Sequence, residues 1–155
     1  MYGGYMTPNG EVDLLELLNS APVIAGRVAE TLDDPRMRSV RDDLHAVIRG
    51  QVDASVLNGY LRDVVQLPEV DASGLHWKLA GPEAALRAAR MVVEWSRVER
   101  DYPGRLRACA NDECNKFLID HSKPNSARWC SMAECGNRMK ARRHHSRQAA
   151  VRSAR

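Results

Sequence analysis

The only four cysteines of this 155-residue chain, Cys109, Cys114, Cys130 and Cys135, fall in its last third with the spacing C-x4-C-x15-C-x4-C. Zn2+ takes four thiolates tetrahedrally. Each short loop can turn two sulfurs toward one point, and the interval between the pairs has room for a hairpin that brings them together. Four thiolates leave no open coordination position, so the spacing predicts one structural zinc per chain and no catalytic metal. Two disulfides would use the same residues. The first ten residues show no basic stretch followed by an apolar one, which favours a cytoplasmic setting and thiols held as metal ligands.

The segments between the cysteines indicate how the ligands are positioned. Ala110-Asn111-Asp112-Glu113 is turn-prone, Phe117-Leu118-Ile119 reads as a strand, Ser122-Lys123-Pro124-Asn125-Ser126 as a turn, and Ala127-Arg128-Trp129 as the return strand. Ser131-Met132-Ala133-Glu134 has the form of a capping box, which starts a helix and places Cys135 in its first turn, where the positive helix end favours a thiolate. The order of loop, hairpin and helix is that of a treble-clef-like zinc module. A segment of this size with Phe117 and Trp129 as its only large aromatics buries too little apolar surface to fold alone, whereas structural zinc contributes roughly 10–16 kcal/mol in small peptides.

The helix after Cys135 carries Arg138, Lys140, Arg142, Arg143 and Arg147, with Asn137 at its start and no acidic residue. Met132, Cys135 and Met139 form a stripe expected to face the zinc and hairpin, leaving the basic residues outward. Arginine suits bidentate contacts to phosphate or guanine, and Asn137 could contact a base edge or cap backbone. These six residues are the candidate nucleic-acid contacts, with DNA and RNA both open. The adjacent His144 and His145 diverge on a helix and make a poor second metal site.

Composition divides at the same place. Residues 1–104 hold 11 Lys/Arg against 16 Asp/Glu, and residues 105–155 hold 12 against 4, so the formal net charge of +3 averages an acidic body and a basic end. The hydrophobic share of 44% and charged share of 28% fit a globular chain and exclude wholesale disorder, and no apolar run is long enough for a spanning helix. Leu14, Leu15, Leu17 and Leu18 predict a first helix. Pro22 is expected to open a second, with Ile24, Val28 and Leu32 on one side. Asp34-Pro35 caps a third that ends at Gly50, and Asp53 a fourth that ends at Pro68. Residues 69–79 read as a hairpin around Ala72-Ser73-Gly74. The longest helix starts at Gly81-Pro82, and its stripe of Ala84, Ala88, Met91, Trp95, Val98 and Tyr102 would serve either a core or a homodimer. The expected fold is mainly α, an α-rich domain with a small β-hairpin, followed by the zinc module with its hairpin and basic helix. His45 and His76 have no nucleophile or paired carboxylate assigned near them, so no enzymatic role is expected.

The residues Arg107-x-Cys109-Ala110-Asn111-x-x-Cys114, then Phe117, Asp120 and Ser122, Arg128-Trp129-Cys130-Ser131-Met132, and Cys135-Gly136-Asn137-Arg138-x-Lys140 closely resemble the CGNR zinc finger. The preceding helices, including Leu17-Leu18-Asn19-Ser20, resemble the ABATE domain that precedes this finger in bacterial proteins described as transcription regulators. The resemblance implies an α-rich ABATE-like domain at 11–104 and the finger at 105–149, between a Gly-rich stretch with Pro and Asn at 1–10 that reads as a mobile lead and a basic tail at 150–155. It further implies zinc at the four cysteines and DNA as partner; with it goes the expectation that the N-terminal domain senses a small-molecule effector or mediates contacts, while the lack of a long apolar run leaves no membrane association expected.

Overall fold

The computed structural model describes residues 9–153; the lead expected at 1–10 falls almost wholly outside them. About half of the chain is helical, and the strands form three separate two-stranded antiparallel hairpins. Helix α1 (Gly10–Leu18) buries Leu14, Leu17 and Leu18. Its N-terminal end abuts the carboxylate of Glu94, which leaves no room for a side chain at Gly10. Glu94 is buried, pairs with Arg97 at 2.8 Å, and lies where the positive end of a helix favours an anion.

Pro22 opens a short hairpin instead of a helix. Strands β1 (Val23–Ile24) and β2 (Arg27–Val28) flank a turn in which Ala25 and Gly26 have φ of 50° and 76°, the left-handed pair that matches strand twist. Ile24 and Val28 are exposed, so the apolar side expected there does not form. Helix α2 (Pro35–Ile48) starts and stops as its signals indicate. Asp34 accepts from the amides of Arg36 and Met37, and Gly50 takes φ +68° just beyond the end.

The helix expected over 53–68 is a 3-10 helix, Ala54–Tyr60, that buries only Leu57. From Val65 the chain is extended, because β-branched Val64-Val65 and the residue before Pro68 favour strand geometry. Strand β3 (Val65–Asp71) pairs along its whole length with β4 (Gly74–Ala80). Helix α3 (Glu83–Asp101) turns Ala85, Ala88, Ala89, Val92 and Val98 inward. Met91 and Trp95 pack against the same core, so most of that stripe is used inside the chain; Ala84 is exposed.

The core does not stop at residue 104. Leu106 of β5 (Leu106–Ala108) and Phe117 of β6 (Phe117–Ile119) join one cluster with Leu14 and Leu18 of α1, Val40 and Leu44 of α2, and Val92 and Val98 of α3. Phe117 is 1% exposed. Asn19 donates to its carbonyl (3.3 Å) and accepts from its amide (2.7 Å); His45 stacks on its ring at 4.4 Å, with Arg49 at 4.6 Å on the same ring. Asn115 accepts from Val23 N and donates to Ala21 O. The finger's strands therefore borrow their apolar partners from the helical body.

One buried ion pair ties the body's own loop down. Arg41, 4% exposed, meets Glu30 in two parallel bonds of 2.7 and 2.8 Å and also reaches Asp42 and Ser20. The Arg41 guanidinium holds the Glu30 carboxyl down at about 2, from 4.5. A carboxyl whose folded pKa lies below its unfolded one stabilises fully above about pH 4.5, and that contribution is lost as the pH falls toward 2. The gap in urea midpoint between wild type and Glu30→Gln should hold constant from neutral pH down to about pH 5 and narrow below pH 4.5. An undiminished gap at pH 3 would contradict this assignment.

Candidate metal centre and basic helix

The first pair of cysteines sits on a tight turn after β5. Cys109 N donates to Lys116 O and Cys114 N to Asn111 O, both at 2.8 Å, while the Asn111 side chain accepts from Glu113 N. Of the second pair, Cys130 lies in the bend before Ser131 and Cys135 in a π-helical turn, Met132–Gly136, followed by α4 (Asn137–Ser153). Ser131 caps that turn by accepting from Glu134 N at 3.3 Å. The reciprocal half of the expected capping box is not made; Glu134 pairs instead with Lys116 at 2.9 Å across the finger. Gly136 N closes onto Ser131 O, and a Cβ on Gly136 would lie 2.6 Å from the Met132 sulfur and 3.3 Å from the Trp129 ring edge. A larger residue at 136 would have to displace the Met132 side chain and crowd the aromatic ring.

All four sulfurs lie within 4.8 Å of one another, with Cys114 to Cys130 at 3.8 Å and Cys130 to Cys135 at 3.7 Å. A disulfide needs about 2.05 Å. A tetrahedron with Zn–S bonds of about 2.3 Å has sulfur–sulfur edges of about 3.8 Å. The donor set and its spacing thus fit one four-coordinate, structural zinc. Cys109 and Cys135 are buried, whereas Cys114 and Cys130 are partly exposed.

The groups around the sulfurs prepare them for a cation. Burial pushes the Cys114 and Cys130 thiols up, and sulfurs crowd around both. Burial acts the same way on Cys135, yet its thiol lies below the ordinary value because Asn111 and the other three cysteines hydrogen-bond to it. The fully buried Asn111 donates to Cys135 Sγ at 3.4 Å and so bridges the two halves of the site. Cys130 N donates to Cys109 Sγ at 3.5 Å. A dication would let all four ionise together, offsetting the burial and the mutual repulsion that push two of them up.

The loop that joins the pairs is held by a buried acid. Asp120, 2% exposed, accepts from Ser122 N (2.9 Å) and Ala127 N (2.7 Å) and lies 3.5 Å from Arg107. Hydrogen bonds from Ser122 hold its carboxyl down at about 2. This compaction explains why 127–129 is not the return strand: β6 pairs with β5, and Arg128 O instead accepts from Ala110 N.

Residues 105–148 match the family model of the CGNR zinc finger. No curated protein matches the chain. The match contains all four cysteines and the first twelve residues of α4.

Helix α4 leaves the metal site as a rod. From Asn137 to Ala149 every residue is exposed except Met139, which is partly covered. Met132 is 64% exposed, so of the stripe expected to face the zinc only Cys135 is buried. The side chains of Lys140, Arg143, Arg147 and Asn137 are exposed and form no hydrogen bond or ion pair among the described residues. Arg142 pairs with Glu113 on the first cysteine loop. His144 and His145 meet edge to face at 6.1 Å and lie in no cluster of metal-binding groups among the described residues.

His45 and His76 have partners within the fold. His45 bonds Leu18 O at 2.8 Å, and burial pushes its pKa down. His76 lies within the β3–β4 hairpin beside Glu69 (3.3 Å) and Asp71 (3.6 Å). Sequence reading named Asn111 and Asp120 within a motif without giving them a role and missed the contacts of Asn19 and Asn115. A buried amide looks like a loop amide until its partners are known.

Replacing Glu113 by Gln frees Arg142 while leaving the sulfurs in place. If α4 docks on a polyanion, Glu113→Gln should tighten duplex binding by roughly two- to fivefold in a fluorescence-anisotropy titration. Weaker binding would mean that the pair positions Arg142 for contact.

Proposed function

We propose that this chain is a zinc-dependent DNA-binding transcription regulator of bacterial type. In this reading residues 11–104 act as an ABATE-like sensing or interaction domain, and the knuckle, hairpin and helix start form a treble-clef-like module. The observation that carries the reading is α4. A helix that is polar on every side gains nothing from packing, and its like charges at Arg138/Arg142 and Arg143/Arg147 are spaced to repel. Such a rod, anchored at one end by the metal site, is stabilised by a polyanion laid along it. Major-groove docking would bring Asn137 and Arg138 at its start toward base edges and leave Lys140, Arg143 and Arg147 for phosphates. An open cleft of about 530 Å3 between the β1–β2 turn, Arg49 and the first cysteine loop offers a place for a small effector next to the finger.

The test is retention of a genomic duplex pool by the zinc-loaded chain as salt is raised. The logarithm of the binding constant should fall linearly with the logarithm of salt, by about 0.9 for each phosphate neutralised. Competition by structured RNA at equal affinity would move the reading to RNA. Absence of retention at low salt, with one protein partner copurifying in stoichiometric amount, would replace it with a protein-interaction module.

A further inference from the structure

The β3–β4 hairpin carries its apolar side chains outward. Pro68, Val70, Leu75, Trp77 and Leu79 share one face, and Val70 is 77%, Leu75 60% and Trp77 36% exposed. An isolated two-stranded ribbon is marginal in water, and three or more strands are the usual remedy. The ladder determines which edge can take them. With the two-residue loop Ala72-Ser73, the pair Asp71↔Gly74 closes the turn as a hydrogen-bonded pair, and hydrogen-bonded and open pairs alternate from there. Pro68↔Trp77 is therefore an open pair, in which both residues turn their backbone groups away from each other.

The two edges differ as a result. The outer edge of β3 presents a proline ring where an N–H would stand, which blocks strand addition. The outer edge of β4 presents the N–H and C=O groups of Leu75, Trp77 and Leu79, and these make no hydrogen bond among the described residues.

We propose that β4 pairs antiparallel with β4 of a second copy of this chain, forming a closed twofold dimer around a four-stranded sheet. With the axis at Trp77, the midpoint of the strand, Leu75 lies opposite Leu79 of the other copy and the two tryptophans become neighbours. Such aromatic and aliphatic cross-strand pairs stabilise a sheet. On the opposite face Lys78 is brought beside the other copy's His76, which already has Glu69 and Asp71 around it. With one edge of this hairpin open and the other blocked, pairing through it ends at two copies, because the sheet then terminates at a proline on both sides. Pairing joins seven residues, about 23 Å of backbone, and covers the facing flanks of Leu75, Trp77 and Leu79, a small interface for which association is expected in the micromolar range.

This assembly does not depend on the nucleic-acid reading, and its test is molecular mass. The zinc-loaded full chain in sedimentation equilibrium from 1 to 100 µM should show twice 17.3 kDa at the upper end. Trp77→Pro removes an outward N–H and no bond of the β3–β4 ladder, and should leave a monomer at 100 µM. Leu75→Lys should weaken association at least tenfold, with far-UV circular dichroism and zinc content unchanged. A wild-type monomer at 100 µM, or a dimer that survives both substitutions, would overturn the proposal.

Discussion

Stripping zinc with a chelator is expected to lower the thermal midpoint of the whole chain by roughly 6–20 °C, and not merely to release the finger. The shared core gives the reason. Without the metal, four sulfurs within 4.8 Å of one another have no common counter-charge, and neither the π-helical turn nor the first cysteine loop has an apolar core of its own. Once they open, β6 loses its anchorage and Phe117 leaves the cluster it shares with Leu14, Leu18 and Leu44. Withdrawal of a buried phenylalanine costs about 3–5 kcal/mol, and each kcal/mol moves the midpoint of a chain this size by about 2–4 °C. Cys114→Ser should act in the same direction, since it leaves three ligands and weakens zinc binding, and Phe117→Ala should reproduce the body's share of the loss with zinc still bound. Differential scanning calorimetry with metal analysis separates these effects. An apo chain whose helical body melted at the holo temperature would show that the two parts fold independently.

Duplex binding should fall on the order of 10²–10³-fold at low salt in the pair Arg142→Glu, Arg143→Glu, and the salt slope should shrink by about 2. Each reversal removes one cation from α4 and adds a repulsion toward a polyanion. The fold has little stake in either side chain. Among the described residues the Arg143 side chain forms no hydrogen bond or ion pair and that of Arg142 pairs only with Glu113 at the surface, so zinc content and the melting profile should match wild type. The charge repulsion within α4 gives a second readout. If a polyanion relieves it, the helical signal should rise when wild-type protein meets duplex and stay flat in the variant. Unchanged affinity in the variant would remove α4 from the interface and with it the proposed function.

The parts of this molecule that could be read before folding are those whose cause is local. Asp34-Pro35 caps α2 because cap, proline and first turn are adjacent in the chain. The β3–β4 turn lies where Ala72-Ser73-Gly74 interrupts an alternating pattern, and the four cysteines announce a zinc site because ligand chemistry and loop length depend on the sequence itself. Misreadings gathered where a second segment decides. Residues after Pro22 look helical until Ala25-Gly26 turns back, and Ala127-Arg128-Trp129 looks like a strand until Asp120 folds its loop and β5 claims β6.

The division of charge at residue 104 is a property of composition alone, and so is the basic row of α4. What composition could not say is that this boundary is not a boundary of the core. That was decided in three dimensions, because the finger has one large aromatic fully buried, Phe117, and the apolar surface it needs belongs to α1 and α2, about 70–100 residues earlier in the chain. Hydrophobic burial is indifferent to sequence separation, so the metal organises the ligands locally while the body supplies the core.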